Sequence, residues 1–197
     1  MNSFQNNRRG VSLVETVITI AVFVLIMGAV AASLIYFYRS NAYTVEQSSA
    51  ITAARRGVET MVQDLREATF SAGGAYPIVS MGGYDLTAYS DIDHDADVER
   101  IRFFLDSTNL KRQVTNPTST PAEYTGSEST SILASDVRNQ QNNTPIFTYV
   151  DADGAAVTSA SNISTIKSVQ VSLVVNVDIN RSPRGYIIRS QATMRNM

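Results

Sequence analysis

The chain has 197 residues, a formal charge of -2, 44 % hydrophobic residues and no cysteine. That length allows one domain of ordinary size plus an extra element. The missing cysteines exclude disulfides, a thiol nucleophile, cysteine-ligated zinc and a lipidated cysteine anchor, and the weak acidity gives no global reason to expect nucleic acid as the main partner.

The first element is apolar and long. Residues 11–38 carry one charge, Glu15, and are enough for a helix that crosses a bilayer, which takes about 20 residues. Arg8 and Arg9 precede it, so the positive-inside rule places the short leader in the cytoplasm and the body of the chain beyond the membrane. A carboxylate in such a segment costs several kcal/mol unless a cation meets it, roughly as any buried charge does. Three readings compete. A cleaved secretory signal finds an A-x-A site at Ala29-Val30-Ala31, but the apolar run continues past it to Phe37. A plain single-pass anchor explains the length and leaves Glu15 unexplained, except as a side chain that snorkels to the interface.

The third reading uses every residue of Arg8-Arg9-Gly10 followed by Val11-Ser12-Leu13-Val14-Glu15, Thr16 and the apolar run. This segment resembles the class III signal of type IV pilins and type II secretion pseudopilins. The resemblance implies that a prepilin peptidase cuts between Gly10 and Val11 on the cytoplasmic side and methylates the new Val11 amine. It also implies that Glu15, fifth after the cut, sets the stagger between subunits by pairing with a neighbour's amine. Val11 departs from the Phe or Met usual in that family, which bears on methylation more than on cleavage. A buried pair of this kind gains little net energy, whereas stranding one partner costs about 3–5 kcal/mol, so Glu15 reads as a register device.

The helix is expected to continue from about Ser12 to Phe70. No proline interrupts it, and Ile51, Val58, Met61, Val62, Leu65 and Thr69 share one face while Arg55, Glu59, Asp64, Arg66 and Glu67 take the other sides. Gly73-Gly74 offers a stop. The expected organisation is a leader at 1–10, a membrane and assembly half-helix at 11–38, an amphipathic half-helix at 39–73 and a β-rich head at 74–197.

Strand patterns follow. Residues 101–105 alternate, 106–109 turn, and 110–114 return as a hairpin. Residues 116–131 are rich in Thr, Ser and Pro and read as an exposed loop, and 132–138 as a short helical turn. A strand at 146–150, an Asp151-Ala152-Asp153-Gly154 turn and a short return at 155–158 come next. Val169, Val171, Leu173, Val175, Val177 and Ile179 then alternate in a long strand, Ser182-Pro183-Arg184-Gly185 turns, and residues 186–194 close the sheet. One helix followed by antiparallel strands is an α+β arrangement, pilin-like, with the helix packed on the sheet. The succession of "ERIRFFLDSTNLKRQV", "FTYVDADG", a long alternating strand and a last strand ending in Arg195-Asn196 looks like the J-type minor pseudopilins and related minor pilins.

Chemistry-bearing clusters are few. Asp91, Asp93, Asp95 and Asp97 alternate and Glu99 follows, a spacing of hard oxygen ligands that suits Ca²⁺. The EF-hand template fails, because Ala96 takes its glycine position and Arg102 its bidentate glutamate position. A calcium turn and a solvated acidic turn both remain open. His94 is the single histidine and is expected to be exposed. Arg181, Arg184, Arg189 and Arg195, with Lys111 and Arg112, raise the question of phosphate binding, but solvated strand faces and local pairing explain them more simply.

These patterns point to a structural protein and not to an enzyme. The expected role is a minor, tip-proximal subunit of a type IV pilus or type II secretion pseudopilus. Its partners would be other pilin or pseudopilin subunits, the prepilin peptidase, and membrane lipid before assembly. The alternatives are a membrane-anchored extracytoplasmic binding domain and a DNA-uptake minor pilin. No cofactor is expected beyond the candidate Ca²⁺.

Overall fold

The computed structural model describes residues 10–95, 97–119, 123–181 and 185–195. The basic pair Arg8-Arg9, Ala96, the Ser182-Pro183-Arg184 turn and Asn196 lie outside the described residues. Helix α1 runs over Leu13–Arg66 without interruption. The chain divides into two units, Met1–Val45 and Glu46–Met197.

The first unit is the apolar part of α1. It carries Glu15 as its one charge before Arg39, and its side chains are exposed from residue 10 to residue 42. The helix is therefore long and apolar enough to cross a membrane, and its exposed Leu, Ile, Val and Phe side chains suit hydrocarbon rather than water.

The second unit contains the end of α1 and two antiparallel sheets. Strands β1 (Ile78–Met81), β2 (Asp85–Ser90), β3 (Glu99–Asp106), β4 (Asn109–Thr115) and β5 (Glu128–Ala134) form a five-stranded sheet in sequence order. Strands β6 (Phe147–Val150), β7 (Ala156–Val157), β8 (Ser168–Val175) and β9 (Tyr186–Thr193) form a second sheet in the order β7-β6-β8-β9. The α+β class holds, with the end of the long helix α1 packed on antiparallel sheets. Ala54, Val58, Met61 and Leu65 recur at helical spacing and are buried against Phe103, Leu110, Phe147 and Leu173. Gly57 lies on the same face, and a Cβ there would stand 2.8 Å from the Leu133 carbonyl oxygen. The absence of a side chain lets β5 approach the helix.

Several expected elements differ. The helix ends at Arg66, not near Phe70, because sheet pairing captures the next residues: Ala68 bridges to Ser90 and the Thr69 N–H donates to the Tyr89 carbonyl at 3.0 Å. Gly73-Gly74 belongs to the turn beyond, where Gly74 takes a φ of +76° that glycine adopts without strain. The expected helical turn at 132–138 is replaced at its start by β5, which pairs with β4 from Thr115↔Glu128 to Leu110↔Ala134. β8 stops at Val175 instead of continuing to Ile179. There the Asn176 N–H donates to the Asp136 carbonyl and the Val177 N–H to the Gln47 side-chain oxygen, so the chain turns away and Ile179 is exposed. β1 and β2 had no expectation at all, and one expected sheet is two.

Asp64 also departs from its expected polar face. It is 6 % exposed, and its carboxylate accepts from Arg112 Nε at 2.7 Å and Nη2 at 3.1 Å. Burial pushes its pKa up, and the Arg112 guanidinium opposes that rise. Asn139 is fully buried beside β8. Its amide donates to the Thr144 and Ser172 carbonyls and its oxygen accepts from the Val174 N–H, so one side chain does the work of a strand partner for β8.

Candidate functional site

The N-terminal segment is built from a short run of polar residues before an apolar helix. Gly10, Val11 and Ser12 are exposed and outside the helix. Ser12 occupies the cap: its hydroxyl oxygen accepts from the Glu15 N–H at 3.2 Å, and its carbonyl accepts the first intrahelical bond, from the Thr16 N–H at 3.1 Å. Ser12 and Glu15 have the S-x-x-E spacing of a capping box, but only the bond to the serine side chain is formed. The signal was legible in the sequence as Ser12-Leu13-Val14-Glu15, and reading Glu15 as a register charge passed over it.

The other hydroxyls near the start are satisfied within the helix. Thr16 Oγ1 donates to the Ser12 carbonyl at 3.2 Å and Thr19 Oγ1 to the Glu15 carbonyl at 2.7 Å. The Glu15 carboxylate has no hydrogen bond or ion pair among the described residues. It lies in the first turn, where the positive end of the helix dipole favours a negative charge. The segment therefore presents one anion at the edge of an apolar helix, three residues after a capping serine.

The acidic turn is rearranged relative to its sequence spacing. One oxygen from each of Asp91, Asp93 and Glu99 lies within 4.8 Å of the others, a separation that a divalent cation with oxygen ligands at about 2.4 Å fits. Asp95 and Asp97 are not in this group. Asp91 accepts from the His94 N–H, Asp93 from the Asp95 N–H and Asp95 from the Asp97 N–H, so the aspartates also serve the turn's own backbone. His94 is exposed, at a φ of 62°. Glu99 is 2 % exposed and accepts from the Ile92 N–H at 3.0 Å. Burial first, then Asp93 and Asp95, push its pKa up, while the Ile92 hydrogen bond opposes them.

The named cations do not converge. Arg112 pairs with Asp64, Lys111 with Asp106 and Arg181 with Asp178, while Arg189 and Arg195 are exposed near the end of the chain. Arg184 lies outside the described residues.

Comparison with protein families finds the prokaryotic N-terminal methylation motif over residues 5–31, the segment containing Gly10, Val11 and Glu15. The motif is a class III signal and supports the type IV pilin and pseudopilin superfamily. Comparison of the chain with curated proteins gives no match.

Proposed function

Proceeding from the N-terminal methylation motif of pilins and pseudopilins, we propose that this chain is a prepilin-type structural subunit. In this reading a prepilin peptidase removes residues 1–10 and methylates the Val11 amine. The mature subunit waits in the membrane as a single-pass protein with its head outside. It then joins other pilin or pseudopilin subunits through α1. The observation that carries the reading is Glu15, whose carboxylate lacks a partner among the described residues while Ser12, Thr16 and Thr19 are satisfied locally. A free amine at Val11 of a neighbouring subunit is a cation of the right charge. Apolar helices stacked around that pair would make its loss costly. Contacts of this head-to-tail kind do not close, so they produce a helical fibre.

Two further points are part of the proposal. The resemblance of the strand succession to J-type subunits favours a minor, tip-proximal place in a type II secretion pseudopilus or a related pilus. The pairing of Arg112, Lys111 and Arg181 with carboxylates disfavours a phosphate-binding role in DNA uptake. N-terminal mass spectrometry of the protein recovered from membranes tests the reading. A chain that begins at Val11 and carries one added methyl group is expected. An intact Met1 in cells with an active prepilin peptidase would refute processing and leave a membrane-anchored domain.

A further inference from the structure

We propose that Ser12 is a positioning residue for the cleavage itself, an inference that rests on the processing reading above. Cleavage adds water to the Gly10 carbonyl carbon. The Gly10–Val11 C–N bond breaks, Gly10 leaves as a carboxylate and Val11 as an amine that takes the proton. The Gly10 carbonyl must therefore be free of the helix. In the structure it is, because the first intrahelical bond starts two residues later, at the Ser12 carbonyl. The Ser12 hydroxyl holds that boundary by accepting from the Glu15 N–H at 3.2 Å, and Gly10 and Val11 stay non-helical and exposed.

Without the cap the boundary has somewhere to go. Val11 is a poor cap, but glycine is an acceptable one, so Gly10 is the next residue upstream able to start the helix. A helix capped at Gly10 uses the Gly10 carbonyl as its first acceptor, and its partner becomes the Val14 N–H. The scissile carbonyl is then tied into the first turn, and the bond that must be cut joins the cap to the first helical residue. Ser12 thus keeps the bond accessible, while Glu15, whose carboxylate is not used in the cap, remains available for assembly. The two residues of the S-x-x-E spacing divide the work: one sets where the helix begins, the other carries the charge.

Replacing a serine cap by alanine shifts the helix-start equilibrium by about 1 kcal/mol, which is about fivefold. A substrate whose competent form is less populated binds more weakly in proportion, with the chemical step unchanged. The test uses the full-length precursor in detergent micelles with a purified prepilin peptidase, and initial rates are measured over a range of precursor concentrations. Ser12→Ala is expected to raise KM measurably, by at most about fivefold, at unchanged kcat. Ser12→Asp and Ser12→Thr, which also cap, are expected to restore it. Ser12→Ala cut with wild-type KM overturns the inference while leaving the processing reading intact. A defect that neither Asp nor Thr repairs also overturns it, since the peptidase would then be reading serine directly. A wild-type chain left uncut at Gly10–Val11 removes the processing reading and this inference together.

Discussion

Removing Arg112 should unmask the cost of burying Asp64. The carboxylate is 6 % exposed and sits on the helix face that meets β4, with Arg112 as its one ion-pair partner among the described residues. Its main-chain carbonyl also accepts from the Ser90 hydroxyl, so the position cannot easily swing into water. Arg112→Met keeps most of the side-chain volume and deletes the charge. Breaking a buried pair by removing one partner costs about 3–5 kcal/mol, and the part-exposed Arg112 places the expected loss near the lower end, about 3 kcal/mol at pH 7. The pH dependence has a definite sign. Asp64 has a folded pKa raised above its ordinary value, so the native state holds its proton more tightly than the unfolded chain. Its favourable contribution is present below the unfolded value near 3.8 and is lost as pH rises through the folded value. In Arg112→Met the opposing guanidinium is gone, the folded pKa climbs further, and the deficit should shrink as pH falls from 7 toward 4. Asp64→Leu combined with Arg112→Met should recover most of the loss, since neither charge is then stranded. Urea unfolding of the full chain in detergent, followed by tyrosine near-UV circular dichroism at pH 7 and pH 5, measures all three. An Arg112→Met variant within about 0.5 kcal/mol of wild type at pH 7, the scale of ordinary surface changes, would refute the reasoning.

Three other outcomes follow from named contacts. Gly57→Ala places a Cβ 2.8 Å from the Leu133 carbonyl oxygen and should cost about 1–3 kcal/mol in the same urea assay, whereas Gly28→Ala, where nothing lies within 4 Å, should leave head stability unchanged. Asn139→Leu removes three hydrogen bonds from a fully buried side chain to backbone groups and should destabilise by about 3 kcal/mol or more; a loss under 1 kcal/mol would mean that β8 finds other partners. Glu15→Ala should insert and be cut normally but leave the incoming Val11 amine without its anion, at about 3–5 kcal/mol, so the fraction recovered in sheared fibres or with neighbouring subunits should fall sharply. Wild-type recovery there would make Glu15 a bystander.

The parts of this protein written in neighbouring residues could be read from the chain directly. The apolar run of α1 follows from its composition, because Glu15 is its one charge and most of its residues are aliphatic or aromatic. The β3–β4 hairpin and the buried face of β8 follow from period-two alternation over contiguous positions. Ser12 and Glu15 stand three apart, within one turn, so even their division of labour is local. Other features depend on partners far along the chain. Asp64 reads as a solvated helix residue until Arg112, 48 positions away, arrives on β4. Residues 128–134 are Ser- and Thr-rich and become a strand only because β4 offers an edge. Asp95 and Asp97 alternate with Asp91 and Asp93 in sequence, yet the turn brings in Glu99 instead, because the start of β3 buries that side chain beneath the loop. The helix ends at Arg66 for the same reason, captured by β2 before its own sequence tells it to stop. Local periodicity records which face of an element is apolar; which distant edge, charge or carbonyl will meet that face is decided when the chain closes, since backbone groups and charges removed from water must find partners wherever the topology supplies them.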